Sequence, residues 1–330
     1  MPRKSRKITA LLPTRSRDFV LLKKAVASVN WADEILIADS SKNQVGADKI
    51  KNFAQKIGAK YIYREYKYSA DFKNWAIPQA KYDWILLLDS DEVVTEKLKL
   101  HIQRLLKSRQ LKNYDGFGIA RKHFFFGKFL KHGGRYPLYN VRLFRKKCRY
   151  EDRNVHAHII IDKKRLLNIN PRYGDILHYS DRDFDQFFER FNRYSDYQAQ
   201  YILKMSQKKL SIDWWQFFTN FLYFKATVKD VWFFIPGHSL WRFVWMYILK
   251  FGFLDGRAGL NIAVLYAFQD FVSKTKYYHL VGKRARLRTN YQNILIYLIA
   301  TLFNNRSQFI EEYQNLFFLN KGKVNTMKSV

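Results

Sequence analysis

The feature that most constrains this 330-residue chain is an unbroken apolar run, Trp84-Ile85-Leu86-Leu87-Leu88, that ends on Asp89-Ser90-Asp91-Glu92. A run without polar alternation reads as a strand covered on both faces, the situation of strands in parallel sheets. Two earlier segments repeat the arrangement: Ile8–Leu12 runs into Pro13-Thr14-Arg15, and Ile35–Ala38 runs into Asp39-Ser40-Ser41. Between them Leu21, Leu22, Ala25 and Val29 recur at helical spacing. A helix around Ile50, Phe53 and Ile57 leads through Gly58 to a third strand at Lys60–Tyr66, and another helix spans Phe72–Ala80. Strands alternating with amphipathic helices predict βαβ units in a Rossmann-like, mainly parallel α/β sheet. All three polar clusters then fall beyond the carboxyl ends of strands, where open α/β sheets bind ligands.

From Tyr114 to Tyr179 the pattern changes to short aromatic, strand-like pieces separated by Gly133-Gly134, Pro137 and Pro171-Arg172, an expected antiparallel extension. After Asp183, Phe184, Phe187, Phe188, Phe191 and Tyr194 recur at helical spacing. Trp214–Phe224, a long apolar segment from Val231 and a last helix-like run at Ile294–Phe303 follow. The expected organisation is an α/β domain over residues 1–180 and a helical, aromatic-rich C-terminal region over residues 181–330. No internal repeat or low-complexity linker separates them.

Lys and Arg number 59 against 28 Asp and Glu, a formal charge of +31, which calls for a polyanionic neighbour. Nucleic acid, an anionic membrane and an anionic substrate all satisfy charge alone. The 18% aromatic content suits a basic surface against lipid headgroups. No RNA-binding motif, zinc module or helix-turn-helix signal is present, so no nucleic-acid partner is expected. Lone Cys148 excludes an intrachain disulfide and points to a reducing compartment. No run of about 20 residues is free of charge, since Pro236, His238, Arg242 and Lys250 break the longest apolar segment. These readings predict a cytoplasmic protein held peripherally at the inner face of the cell membrane. The aromatic residues Trp214-Trp215, Phe217-Phe218, Phe221 and Trp232-Phe233-Phe234 need a cover, either a helical packing or the headgroup region. The run Lys283–Arg288 reads as a solvated face or a phosphate contact.

Asp-Ser-Asp-Glu has two readings. It can be a helix N-cap and acidic first turn before Thr95–Leu106. Alternatively, Asp89 and Asp91, one residue apart on a bend, can share a divalent cation that steadies a leaving diphosphate.

Several stretches, in order, carry a resemblance: Trp31-Ala32-Asp33-Glu34-Ile35 into Ala38-Asp39-Ser40-Ser41, Lys73-Asn74-Trp75-Ala76, and Asp83–Glu92. After these come Gly133-Gly134-Arg135-Tyr136-Pro137, Arg142-Leu143-Phe144-Arg145, Val155-His156, Leu177-His178-Tyr179, and Gly252-Phe253-Leu254-Asp255-Gly256 with Gly259-Leu260. This series resembles glycosyltransferase family 2, of the lipopolysaccharide-core glucosyltransferase type. The resemblance implies a GT-A fold and an inverting hexosyltransferase that uses a UDP-linked sugar, Mg²⁺ or Mn²⁺, and a lipid-linked or cell-envelope saccharide acceptor. It implies that Pro13, Thr14, Arg15 and Asp39 hold the nucleotide and that Lys73 and Asn74 lie near the donor. Asp89 and Asp91 would form the metal-diphosphate motif with His178 as a further ligand, and Gly133-Gly134 would approach the sugar.

Members of this type show Val-His-Glu, whereas here Val155-His156 precedes Ala157. An inverting transfer needs a group to take the acceptor proton. Glu151, Asp152, His156 and His158 are the nearby substitutes, with Asp152 and His156 the expected catalytic pair and a solvated turn the plain reading of residues 151–154. A member without activity, serving as a membrane scaffold, and a basic nucleic-acid-binding protein are the alternative functions.

Overall fold

The computed structural model describes residues 5–152, 157–181, 184–207 and 214–281. The first half alternates β1 (Ile8–Thr14), α1 (Phe19–Ser28), β2 (Glu34–Asp39), α2 (Gln44–Lys56), β3 (Lys60–Tyr63), α3 (Ser69–Ala76) and β4 (Trp84–Leu87). Next come β5 (Glu92–Val94), α4 (Glu96–Lys107), β6 (Gly116–Phe125), β7 (Lys128–Phe129), β8 (Leu138–Arg145), β9 (Leu166–Asn168) and β10 (Ile176–Asp181). The sheet order is β3-β2-β1-β4-β8-β6-β10-β5, with β7 and β9 paired to β6. β3, β2, β1 and β4 are mutually parallel, and β8 joins β4 antiparallel. The expected parallel sheet with an antiparallel extension is therefore the observed one.

Period-two alternation sorts the side chains of this sheet. Ile8, Ala10, Leu12, Trp84, Leu86 and Leu88 face one layer with Leu22 and Ala25 of α1 and Leu98 and Ile102 of α4. Leu11, Leu36, Ile85 and Leu87 face the other with Phe72 and Ala76 of α3. Each fully covered aliphatic side chain contributes about 2 kcal/mol, which is why β4 is apolar throughout and the buried polar Thr9 of β1 is satisfied by donating its hydroxyl to Glu34 at 2.6 Å.

Three local boundaries differ from the sequence reading. β3 stops at Tyr63 rather than Tyr66 because its partner β2 ends at Asp39, opposite Tyr63. The helix expected to reach Ala80 ends at Ala76, and a 3₁₀ turn with Pro78 follows, as suits a residue without an N–H to donate. Asp89–Asp91 is no helix cap. The chain passes straight into β5, and α4 begins at Glu96 with Thr95 Oγ1 accepting from Leu98 N at 3.4 Å.

The chain divides into two compact units, Met1–Tyr197 with Arg242–Ala267, and Gln198–Trp241 with the segment from Phe268. The helical half comprises α5 (Phe184–Ser206), α6 (Trp214–Thr219), α7 (Phe221–Val231), α8 (His238–Phe243) and α9 (Gly256–Val281), with a π-helical turn at Val244–Leu249. Within the second unit Trp232 Nε1 donates to Asp270 at 2.9 Å and Ser273 Oγ to Gln198 at 2.7 Å. Phe233 is buried, whereas Trp215, Phe221 and Leu222 stand exposed. Among the described residues no helix is long and apolar enough to cross a membrane. The runs Lys283–Arg288 and Ile294–Phe303 lie outside the described residues.

Candidate active site

Parallel pairing places the three strand-end clusters side by side. Thr14 is in register with Asp39, so β1 and β2 end together, and Leu11 is in register with Leu87, so the residues that follow β4 run to the same edge. Ser40 N and Ser40 Oγ both donate to Thr14 O at 3.0 Å, joining the first two loops. Asp39 is completely buried. One of its oxygens accepts from Ser41 N (2.9 Å) and Ser41 Oγ (2.7 Å), the other from Tyr61 OH (2.9 Å). Burial, and then the Asp39 carboxylate, push the Tyr61 phenol well above its ordinary pKa, so it remains a donor. Ser41 Oγ in turn accepts from Ser16 N at 2.8 Å. Asp39 thus sets the shape of both loops. Thr14 Oγ1 is buried at the same edge without a hydrogen-bond partner among the described residues, Pro13 is half-buried, and Arg15 pairs with Asp18 at 3.1 Å.

At the end of β4, Asp89 receives two cations. Lys73 Nζ of α3 lies 2.8 Å from one oxygen and Arg142 Nη2 of β8 lies 2.6 Å from the other. Arg142 also meets Glu92 at 2.5 Å; Glu92 is completely buried, with Arg121 at 3.0 Å and the Asp89 backbone N–H at 3.1 Å. Burial alone would push Asp89 and Lys73 toward their neutral forms. The opposing charges win: Arg142 and Lys73 hold the Asp89 carboxyl well below the usual carboxylate range, and Asp89 leaves the Lys73 ammonium above its ordinary value. Arg142 and Glu92 belong to this site as much as Asp89 does. The stretch Arg142-Leu143-Phe144-Arg145 signalled Arg142 in the sequence, but nothing there paired it with an acid 50 residues earlier.

Asp91 lies 3.5 Å from His178 Nε2, and Tyr179 N donates to Asp91 O at 2.9 Å, so β10 fixes the turn from its far side. Burial opposes ionisation of Asp91, yet the neighbouring His178 holds its carboxyl below the ordinary value. His178 Nδ1 is 3.0 Å from His123 Nδ1, so one of the two nitrogens carries the proton and the other accepts. β6 and β10 pair in register at these two residues. Burial, and then His178, push His123 down to about 2, which keeps its ring neutral; its Nε2 is buried without a partner among the described residues. His123 had no sequence signal, because a histidine inside an aromatic strand looks like core.

The donor chemistry of Asp91 and His178 fits a divalent cation, one carboxylate oxygen and one imidazole nitrogen on a partly open turn. The two oxygens of Asp89 face Lys73 and Arg142. Among the described residues no three acidic, histidine or cysteine side chains converge as a ready cation site.

α3 brings a further segment to this edge. Asn74 Nδ2 donates to Tyr150 O at 3.0 Å and Tyr150 N donates back to Asn74 Oδ1 at 2.8 Å, while Lys73 Nζ sits 5.6 Å from the Tyr150 ring centre. Tyr68 OH donates to Asp152, a bond that raises the Tyr68 phenol. Tyr150 therefore stands beside Lys73, and Asp152 beside Tyr68 at the start of α3. Glu151 N donates to His158 O at 2.9 Å, and His156 lies outside the described residues. Gly133 and Gly134 adopt φ of 64° and 71°, open to glycine at little cost. Their loop is fastened to Lys250 O by Gly133 N (2.8 Å) and to Asp255 by His132 N (2.8 Å) and Nδ1 (2.9 Å) rather than to the strand-end acids.

Residues 9–167 match the family model described as Glycosyl transferase family 2. The chain is 24% identical over 284 residues to an uncharacterised glycosyltransferase of Rickettsia bellii, covering 82% of this chain and 86% of that protein. It is 25% identical over 182 residues to the lipopolysaccharide core biosynthesis glycosyltransferase LpsC of Rhizobium meliloti, covering 54% of this chain and 65% of that protein. Among solved structures, S. aureus TarS 1-349 in complex with UDP-GlcNAc aligns over 85% of this chain and 93% of that one, at 10% identity and a TM-score of 0.40.

Proposed function

We propose that this chain, whose residues 9–167 match the family 2 glycosyltransferase model, is a glycosyltransferase that moves a hexose from a UDP-linked donor to a lipid-linked or cell-envelope saccharide, with inversion, at the inner face of the cell membrane. The observation that carries this reading is the pair of cations, Lys73 and Arg142, gathered on Asp89 at the end of β4 beside the Thr14 and Asp39 loops. A leaving nucleoside diphosphate develops negative charge, and fixed cations in a partly buried site are worth most there. Thr14, Arg15 and the Asp39 loop would take the nucleotide, and Lys73 with Asn74 would border the diphosphate. The lipopolysaccharide-core role in the name of the Rhizobium relative supports the envelope acceptor.

Asp91 and His178 would hold Mg²⁺ or Mn²⁺, which supplies further charge neutralisation at the diphosphate; Asp89 would join them only by exchanging Lys73 or Arg142. Asp152 is the base in this reading. The acceptor hydroxyl oxygen bonds to the anomeric carbon while the carbon–oxygen bond to the diphosphate breaks, its electron pair leaves with the diphosphate, and Asp152 takes the hydroxyl proton.

Calorimetry with Mn²⁺ and a panel of UDP-hexoses tests the donor side. Asp91→Ala should weaken binding by about 100-fold, and unchanged affinity would sink the metal site. Asp152→Asn should abolish transfer and leave donor binding intact; normal turnover would remove Asp152 as base. Ala157 favours one second reading, a member that binds donor without using it. Binding with neither transfer nor slow hydrolysis in the wild-type chain would establish it.

A further inference from the structure

We infer that the turn from Val244 to Arg257 is the surface by which this chain docks on an anionic lipid bilayer. The inference rests on the proposed membrane-borne acceptor only for its purpose; the surface itself is argued from its own residues. Trp245, Ile248, Leu249, Phe251 and Leu254 are each 47–60% exposed, within one short segment. They form one patch with the aromatic rings between them, because Phe243 stacks on Tyr247 at 5.2 Å, Tyr247 meets Phe253 at 6.3 Å, and Phe253 meets Phe251 at 6.1 Å. Water-exposed apolar clusters of this kind mark interaction surfaces.

Phe251 adds a second observation. Its backbone is left-handed (φ 56°) although its side chain is bulky and more than half exposed. That conformation costs about 1–2 kcal/mol for a residue with a Cβ, and burial against the described residues does not offset it, the side chain being 57% exposed. Glycine or asparagine would serve the turn better. The aromatic ring is explained by a medium outside the protein that receives it.

Charge selects the medium. From Arg242 to Ala267 the sole carboxylate is Asp255, which is buried and occupied by His132. Lys250 and Arg257 are exposed, and Lys250 Nζ lies 4.8 Å from the Trp245 ring centre. A Trp and Leu surface edged by cations and free of exposed acids is the composition that enters the headgroup layer of anionic lipid. A second copy of this chain is a poor occupant, because it would bring another +31 charge to the contact.

The patch is built rigidly, and onto the active-site unit. A Cβ on Gly259 would stand 1.9 Å from Gly252 O, and one on Gly252 would stand 2.6 Å from Met246 O, so both glycines are required for the turn to lie on α9. Lys250 O accepts Gly133 N, and Asp255 holds His132, so the lipid-facing turn and the Gly133–Gly134 loop move together. The Gly252–Gly259 stretch thereby acquires a physical role, orienting the sugar-side loop toward the surface that carries the acceptor.

Co-sedimentation of the full chain with phosphatidylcholine vesicles, with and without phosphatidylglycerol, tests this. The parent should sediment with the phosphatidylglycerol vesicles and be released by salt. Phe251→Asn combined with Leu254→Ser should weaken that binding by about tenfold or more. Asparagine suits the left-handed backbone, so thermal unfolding should be unchanged or raised, which separates lost docking from lost folding. Lys250→Glu with Arg257→Glu should weaken the preference for anionic lipid. Equal sedimentation of the parent and the apolar double variant would overturn the inference. So would a parent that stays in the supernatant with every vesicle, which would give the patch to residues beyond 281 or to a protein. UDP-hexose calorimetry on the same samples reads the proposed function separately: donor binding should survive in both double variants, and its absence in the parent would fail that reading without touching the vesicle result.

Discussion

Two buried lysines show how differently the two units handle charge. Lys73, on α3 of the first unit, sits 2.8 Å from Asp89 in a cluster that also holds Arg142, Glu92 and Arg121. Lys274, on α9 of the second, is buried to a similar degree but has no carboxylate within salt-bridge distance among the described residues. Its ammonium faces the rings of Phe234 (4.5 Å), Tyr277 (5.0 Å) and Tyr278 (5.2 Å) instead. Burial is common to both. Asp89 outweighs it at Lys73, which stays above its ordinary pKa, whereas burial pushes Lys274 down to about 8. The sheet unit gathers opposite charges where a ligand can compete for them, and the helical unit covers its cation with aromatic surface.

The largest effect should come from breaking the paired cluster. Arg142→Met leaves Glu92 buried with Arg121 alone and Asp89 with Lys73 alone. Removing one partner of a buried ion pair costs about 3 kcal/mol or more, read as a lower urea midpoint. Adding Glu92→Gln to that variant should recover part of the loss, since the uncompensated charge goes with it. A cost below about 1 kcal/mol would mean that the cluster is screened like a surface pair.

Lys274→Met should move stability the other way. A lysine whose folded pKa is depressed binds fewer protons folded than unfolded, so its charging opposes folding at neutral pH. That penalty is relieved as pH rises from about 8 to about 10.4, where the unfolded chain still holds the proton. Cation–π attraction from the three rings returns part of the penalty, so the substitution should stabilise by about 1–2 kcal/mol at pH 7. The wild-type chain should gain stability across that alkaline window relative to the variant, measured by urea unfolding at stepped pH. A flat difference between the two would show that the rings fully replace a carboxylate.

The contrast also marks what the sequence makes legible. Trp84–Leu88 announces a buried strand because every position is apolar, and the acids after it must then lie at a strand end. Thr14 and Asp39 follow by the same logic, each ending its own apolar run. Arg142, Glu92 and His123 do not. They come from β8, β5 and β6, and meet Asp89, each other and His178 through non-local pairing that no short window encodes. Glu92 looks like the acid of a helix start when its neighbour β8 is out of view. The exposed aromatic turn at Trp245–Leu254 reads as generic apolar sequence until the left-handed Phe251 shows which residues the fold leaves uncovered.

The smallest effect separates backbone from charge. Gly133 and Gly58 share a left-handed backbone, at φ 64° and 66°, and neither is crowded: a Cβ on Gly133 would stand 3.6 Å from Met246 O, and one on Gly58 would meet nothing within 4 Å. Replacing either by alanine should therefore cost only the conformational term, about 1 kcal/mol. Gly58 closes α2, remote from any proposed ligand, whereas Gly133 belongs to the loop assigned to the donor sugar. Equal losses in urea midpoint are expected for Gly58→Ala and Gly133→Ala, together with a fall in UDP-hexose affinity for Gly133→Ala alone. If both variants bind donor like the parent, the 133–134 loop is a structural fastening to Lys250 and Asp255, and donor recognition lies wholly with the strand-end charges around Asp89.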